Sequence, residues 1–371
     1  MSDQQIRIPE NLLPADGRFG SGPSKVPASA MKSLVETGST IMGTSHRKPA
    51  VKNQVARLRR GLSEFFDLPE GYEVVLGVGG TTAFWDVATF SLVENRAQAA
   101  TFGEFGSKFA KTVTAPHLQP PSVIDAEPGS AAYLQAEEGV DVYGTPHNET
   151  STGVAIEVKR VAAEGALTLH DATSAVAGLP VDVRESDCYY FAPQKGLASD
   201  GGLWLALLSP AALERAERIC GSSRYVPEFL NLQTAIENSR KDQTYNTPAV
   251  ATVILAAEQV DALNAAGGLN AAAKRCEESA GALYNWAESS PVASPYVTNP
   301  DIRSNVVVTV DFDESVDAAR LAALLRDNGI LDTEPYRKLG RNQLRIATYP
   351  AVDPADAVAL TGCLDYLIER L

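Results

Sequence analysis

Three short segments carry residue types that do chemistry. In Phe191-Ala192-Pro193-Gln194-Lys195-Gly196 a lysine follows an apolar run and precedes Asp200-Gly201-Gly202. A lysine at a strand end points into a crevice with its amine partly desolvated. Desolvation lowers the pKa and frees the amine as a nucleophile toward carbonyls. Taken alone, a solvated loop lysine is the commoner outcome. Upstream, Ala166-Leu167-Thr168-Leu169-His170-Asp171-Ala172 reads as a buried strand ending in an acid, with Ser174 just after. A buried carboxylate without compensation is costly, so Asp171 needs a partner. A turn or cap is one role. Another is to hold a pyridine nitrogen protonated, so that the ring becomes an electron sink. The third segment, Gly77-Val78-Gly79-Gly80-Thr81-Thr82, joins a strand to a helix. Glycines there let backbone approach an anion, and a helix N-terminus offers free N–H groups to a phosphate. It fails as a dinucleotide fingerprint: Thr82 stands where the third glycine belongs, and no acid ends a strand about twenty residues later. Asn246-Thr247-Pro248 offers a second capped helix start, usually structural.

These segments need elements to bring them together. From Glu73 to Pro210, short apolar runs alternate with helix-like stretches. Strands are expected at 73–77, 99–102, 141–144, 166–170, 188–191 and 203–207, with helices at 81–92 and 107–114. Near-continuous apolar strands separated by helices predict an α/β fold: a mainly parallel, mixed sheet covered on both faces. Ligands in such sheets sit at the carboxyl ends of the strands. A long helix is expected after Thr247-Pro248, with proline in its first turn and Gly267-Gly268 past its end. An alternating strand at 305–312, a helix at 315–328 capped by Gly329, a strand at 344–347 and a helix from Asp353 onward predict a smaller C-terminal α/β domain. The expected division is an N-terminal segment (1–18) packing with the small domain, a large domain (19–260) and the small domain (261–371).

Composition narrows the partners. Lys plus Arg number 32 against 46 Asp plus Glu, a formal charge of −14 over 371 residues. Such a surface repels nucleic acid and anionic lipid. The densest basic run, Arg57-Leu58-Arg59-Arg60, reads as a solvated helix face. The four cysteines (Cys188, Cys220, Cys276, Cys363) lack metal-ligand spacing, which excludes a zinc motif and suggests a reducing compartment. Cys188, in an apolar run, is expected to be an inert buried thiol. The start, Met1-Ser2-Asp3-Gln4-Gln5-Ile6-Arg7, lacks the pattern of a signal peptide. No run of ~18 apolar residues suggests a transmembrane helix. A cytoplasmic location is expected.

Acid, lysine and glycine turn together match pyridoxal phosphate enzymes. Over nearly the whole chain the sequence resembles the phosphoserine aminotransferase family, in class V of the fold-type I enzymes. The resemblance rests on Phe19-Gly20-Ser21-Gly22-Pro23-Ser24, Ser45-His46-Arg47, Gly79-Gly80-Thr81-Thr82, His147-Asn148-Glu149-Thr150-Ser151-Thr152-Gly153 and His170-Asp171-Ala172-Thr173-Ser174. It continues through Ala192-Pro193-Gln194-Lys195, Tyr245-Asn246-Thr247-Pro248 and Leu344-Arg345-Ile346-Ala347. The resemblance implies that Lys195 holds pyridoxal phosphate covalently and carries the proton in the 1,3-shift. Asp171 would pair with the pyridinium nitrogen, and Thr150 with the ring's 3-oxygen. Phe105, where many members carry tryptophan, would stack on the ring through a smaller face. Gly80, Thr81 and Gln194 would hold the cofactor phosphate, joined by Asn246 and Thr247 of a neighbouring subunit, which implies a homodimer. Arg345 would fork the substrate α-carboxylate. His46 and Arg47, from the partner, would face the substrate's phosphate or side-chain carboxylate. The implied reaction moves an amino group between L-glutamate and 3-phosphohydroxypyruvate, giving O-phospho-L-serine in serine biosynthesis, with a phosphorylated pyridoxine precursor as a second acceptor.

Two departures stand out. Family members carry an arginine where Thr81 stands, and a histidine–arginine pair where this chain reads Tyr336-Arg337-Lys338-Leu339-Gly340-Arg341. The phosphate grip must be rebuilt, with Arg337, Lys338 and Arg341 as candidates beside His46 and Arg47. Another class V activity, such as an alanine–glyoxylate transaminase, is the alternative. A desulfurase needs a cysteine on a mobile loop, and none of the four is expected there. An oxidoreductase on the same sheet is disfavoured by the broken fingerprint.

Overall fold

A computed structural model of the chain describes residues 6–371; the start of the N-terminal segment expected at 1–18 lies outside them. Seven strands form the main sheet: β1 (Glu73–Val78), β2 (Ala97–Thr101), β3 (Ser122–Asp125), β4 (Val142–Pro146), β5 (Leu167–Asp171), β6 (Cys188–Phe191) and β7 (Leu203–Leu208). Their order is β3-β2-β4-β5-β6-β7-β1, and every pairing is parallel except those of β7, which runs antiparallel to both neighbours. Both faces are covered, which is why the strands read as continuous apolar runs. Alternate residues enter opposite cores. Tyr189 and Phe191 pack with Leu58, Leu62, Val253 and Val260, while Cys188 and Tyr190 pack with Phe84, Trp85 and Phe109.

The helices in chain order are α1 (Ala28–Ile41), α2 (Pro49–Phe65), α3 (Gly80–Ser91), α4 (Glu104–Thr112), α5 (Pro210–Cys220), α6 (Leu232–Ser239), α7 (Val250–Ala265) and α8 (Gly268–Ser289). Helices α2 and α7 cover one face of the sheet, and α3 to α6 the other. The arginine run on α2 is not a freely solvated face. Arg57 donates to Glu258 at 2.6 Å and Asp261 at 2.7 Å on α7, and Arg59 pairs with Asp242. Between them Leu58 is fully buried. Pro248 lies ahead of α7, whose first helical residue is Val250.

A second, antiparallel sheet contains β8 (Ala293–Pro295), β9 (Val307–Phe312) and β10 (Gln343–Ala347), backed by α8, α9 (Ala318–Asp327) and α10 (Pro354–Ile368). Strand β9 was expected to alternate, yet Val307–Val310 are all buried. Val308 and Val310 face α9 and α10, whereas Val307 enters the core of the main sheet, so neither side meets water. Helix α9 starts only at Ala318 because the Asp317 carboxylate caps it, accepting from the N–H groups of Ala319 and Arg320. Asp353 caps α10 in the same way. Ile8 and Phe19 pack into this core, and the Ile8 N–H donates to Asn328 Oδ1 at 2.9 Å.

Candidate active site

All parallel strands, and β1 with them, present their carboxyl ends to one edge, where a cavity of about 480 Å³ opens. Asp171 ends β5, Lys195 lies on the loop after β6, and Gly80 and Thr81 start α3 after β1. Phe105 sits in the first turn of α4 after β2, and Thr150 in a hairpin whose arms are Asn148–Glu149 and Val154–Ala155. Arg345, from β10, reaches in from the second sheet. All of these residues, with Gln194, line the cavity. Eight of the twelve residues singled out by sequence therefore converge in one place.

The lysine amine is not in solvent. Lys195 is 8% exposed, and its Nζ donates to Thr150 Oγ1 at 2.9 Å. Burial pulls its pKa from 10.5 down to about 8, and nearby Arg345 adds to the effect against the opposing charges of Asp171 and Glu149. The Phe105 ring centroid is 5.1 Å from Nζ. Backbone closes the other side: a Cβ on Gly22, at φ +143°, would lie 2.7 Å from Lys195 Cε. Thr150 in turn donates to Ser174 Oγ at 2.8 Å, so amine, threonine and serine form a fixed chain.

Asp171 is held from two directions. Its Oδ1 accepts the Thr173 N–H at 2.9 Å, and its Oδ2 accepts Trp85 Nε1–H at 3.0 Å. Burial raises its carboxyl above the ordinary carboxylate range; these donors and the charge of Lys195 oppose that rise. The glycine turn is fixed by backbone. Gly79 has φ +110° and its N–H donates to Gly202 O at 3.0 Å, a conformation that favours glycine. The first-turn residues Gly80, Thr81 and Thr82 then face the cavity, and Thr81 and Thr173 share a hydroxyl hydrogen bond of 2.7 Å.

Arg345 is mostly buried. Its Nη1 donates to Thr150 O at 3.2 Å, its guanidinium lies 5.4 Å from the Tyr336 ring, and its Nε is buried without a partner. Ser21 Oγ, Asn148 Oδ1 and Gln194 Oε1 are likewise buried and unpaired, and their residues line the same cavity. Four unpaired polar atoms gather around one cavity, a cluster that bound water or a polar occupant can satisfy.

The remaining four predicted residues gather elsewhere. His46 Nδ1 lies 3.2 Å from Thr247 Oγ1, Arg47 Nη2 donates to Tyr245 O at 3.4 Å, and Asn246 adjoins them. None of the four lines the cavity within its own chain. Burial and the neighbouring Arg47 charge lower the His46 pKa. Of the three basic residues ahead of β10, Lys338 pairs with Glu104, and Arg341 pairs with Asp311 and stacks on Tyr296, while Arg337 is exposed. Sequence reasoning missed Trp85, Asn148 and Ser21. Trp85 carried a usable signal: it stands one helical turn after Thr81, on the same face.

Comparison with known proteins places the chain. The aminotransferase class-V family model matches residues 110–332. A phosphoserine aminotransferase of Nocardioides sp. is 60% identical over 370 residues, covering 99% of this chain and 99% of its own. Among solved structures, a phosphoserine aminotransferase from Cytophaga hutchinsonii superposes with a TM-score of 0.87 at 20% identity, over 94% of this chain and 99% of its own. A PLP-bound phosphoserine aminotransferase from Trichomonas vaginalis gives a TM-score of 0.79 at 17% identity, over 94% and 99%.

Proposed function

The chain belongs to the aminotransferase class-V family, and from that premise we propose that it catalyses phosphoserine transamination with pyridoxal phosphate. The reaction exchanges an amino group between L-glutamate and 3-phosphohydroxypyruvate, and yields O-phospho-L-serine and 2-oxoglutarate for serine biosynthesis. The observation that carries the reading is the pairing of a desolvated amine, Lys195, with a buried carboxylate, Asp171, on the walls of one cavity. Full-length likeness to the Nocardioides enzyme supports the substrate.

The cavity suits the cofactor. Its donor set combines a helix N-terminus and the Gln194 amide, fit for a phosphate, with a carboxylate fit for a protonated ring nitrogen and an aromatic face in Phe105. Gln194 would reach the phosphate through its amide N–H groups, the donors of that side chain. Pyridoxal phosphate supplies a carbonyl that accepts the amino group and a ring that withdraws electrons. The chain supplies the rest. With its pKa near 8, about a tenth of Lys195 is neutral at pH 7, against less than ~0.1% at the ordinary lysine value. Nζ would thus be available both as the nucleophile that holds the cofactor and as the base that moves a substrate proton. The Thr150 hydroxyl sets its direction. Asp171, fixed by Trp85 and Thr173, would hold positive charge at the ring nitrogen. Arg345, lying beside Thr150 and Tyr336, forks the α-carboxylate.

The cluster of His46, Arg47, Asn246 and Thr247 completes a partner's site in a homodimer. Exposed Met31, Val35 and Met42 in and beside α1, and exposed Tyr245, support that surface as the contact. We divide the chain into the segment 1–18, a cofactor-binding domain 19–260 and a small domain 261–371. We place the protein in the cytoplasm, a reading supported by its four free cysteines; among the described residues no helix is long and apolar enough to cross a membrane.

The test is Lys195→Ala with an acceptor screen. Loss of turnover and of the bound cofactor's near-visible absorbance is expected, and near-normal transamination would end the lysine assignment. Equal rates with phosphorylated and unphosphorylated keto acids would instead point to another class V transaminase.

A further inference from the structure

Glu149 lies outside the cavity, yet it is fully buried and belongs to the same hairpin as Thr150. Its Oε2 accepts the N–H groups of Phe105 and Gly106, both at 3.0 Å. Its Oε1 accepts Ser151 N–H at 3.1 Å and Ser151 Oγ–H at 2.7 Å. The Glu104 N–H donates to Ser151 Oγ at 3.1 Å. The N–H groups of the first three residues of α4 are therefore all taken by residues 149 and 151. Helices commonly cap themselves with a side chain at the preceding position; here that position is Gly103, which has none. It cannot have one: a Cβ there would lie 2.5 Å from Glu149 Cγ and 2.6 Å from Ser151 Oγ. The missing side chain makes room for a cap supplied from a distant strand.

The tight turn that follows Glu149, where the N–H groups of Thr152 and Gly153 both donate to Glu149 O, explains why the hairpin does this. Residues 149 and 151 point to the helix start, and residue 150 between them points to the cavity, where it receives the Lys195 hydrogen bond and passes its carbonyl to Arg345. One three-residue segment thus fixes the amine and, through the helix start, the ring that faces the amine.

We propose that Glu149 is a positioning residue: its carboxylate caps α4 and thereby holds the Phe105 ring in register with Thr150 and Lys195. The inference rests on the ring-stacking role proposed for Phe105, and its test separates the two. In the cofactor-free protein, Glu149→Gln is expected to speed hydrogen exchange of the Phe105 and Gly106 amides at least ten-fold, with the sheet amides unchanged. Pyridoxal phosphate Kd, by equilibrium dialysis, is expected to rise at least ten-fold in Glu149→Gln and in Phe105→Ala, with little further rise in the double variant, because both act through one ring. Should Glu149→Gln fail to fold, Ser151→Ala, which loosens the same carboxylate, is expected to show the same pattern more weakly. Unchanged exchange, or losses that multiply in the double variant, overturns the role of Glu149. A Kd unchanged in Phe105→Ala overturns the stacking reading and leaves the exchange result to judge the cap.

Discussion

Placing a lysine in this cavity destabilises the cofactor-free protein, and the cost has a pH signature. The fall from 10.5 to about 8 corresponds to ~3 kcal/mol, at about 1.4 kcal/mol per pKa unit. Below pH 8 both folded and unfolded chains carry the protonated amine, and the folded state bears the full penalty. Between pH 8 and 10.5 the unfolded chain binds more protons than the folded one, so stability rises with pH, and above 10.5 the penalty is gone. Lys195→Met removes the group. It also forfeits the 2.9 Å bond to Thr150, worth ~1 kcal/mol, which leaves the variant ~2 kcal/mol more stable than wild type at pH 7.

The assay is urea unfolding of both cofactor-free proteins at equal concentration, since self-association shifts apparent stability. Subtracting one from the other cancels every titrating group that does not feel the lysine charge; Asp171 feels it. The advantage of Lys195→Met is expected to shrink by about 2 kcal/mol between pH 7 and 9.5, with the denaturant slope unchanged. A difference flat within about 0.5 kcal/mol over that range, or one that grows, would refute the claim that burial depresses this amine.

Three further perturbations address its neighbours. Trp85→Phe removes the indole donor to Asp171; a bond to a charged group is worth ~1.5–3 kcal/mol, so pyridoxal phosphate Kd should rise ten-fold or more, and an unchanged Kd removes Trp85 from the site. Gly22→Ala drives a methyl to within 2.7 Å of Lys195 Cε; turnover should fall by ~10² with far-ultraviolet ellipticity preserved, and a fully active variant would show that the approach is not needed. Arg345→Lys keeps the charge but loses the fork; KM for glutamate and for the keto acid should both rise at least ten-fold, and a change confined to kcat would place the arginine elsewhere.

Much of this architecture was readable because buried parallel strands leave a plain signal. Continuous apolar runs ending in Asp171 or followed by Lys195 located both residues and the edge at which they meet. Where burial arose from packing between layers, the pattern misled. The alternation expected for β9 was absent because Val307 leaves its own sheet's core for that of the main sheet. Arg57 looked like a solvated residue because the carboxylates that take its charge, Glu258 and Asp261, lie on a helix distant in sequence. Trp85 was hidden by its ordinary appearance as an apolar helix residue; only the Asp171 contact gives its indole N–H a purpose.

The same logic explains why four predicted residues fall outside the cavity. A site assembled from one chain's strand ends is fixed by register, and register follows from hydrophobic pattern. Positions such as His46 and Thr247 touch one another at 3.2 Å but obtain no role from their own sheet. Their type suggests anion binding, whereas under the proposed homodimer their location would depend on which surface of the chain meets another. Concentration therefore offers a direct discriminator. If these residues complete a partner's cavity, Thr247→Ala should weaken pyridoxal phosphate binding in the associated protein, and dilution should weaken wild-type binding toward the same Kd. Wild-type affinity independent of concentration, in a protein shown by sedimentation to dissociate over that range, would assign the His46–Thr247 cluster to its own chain alone.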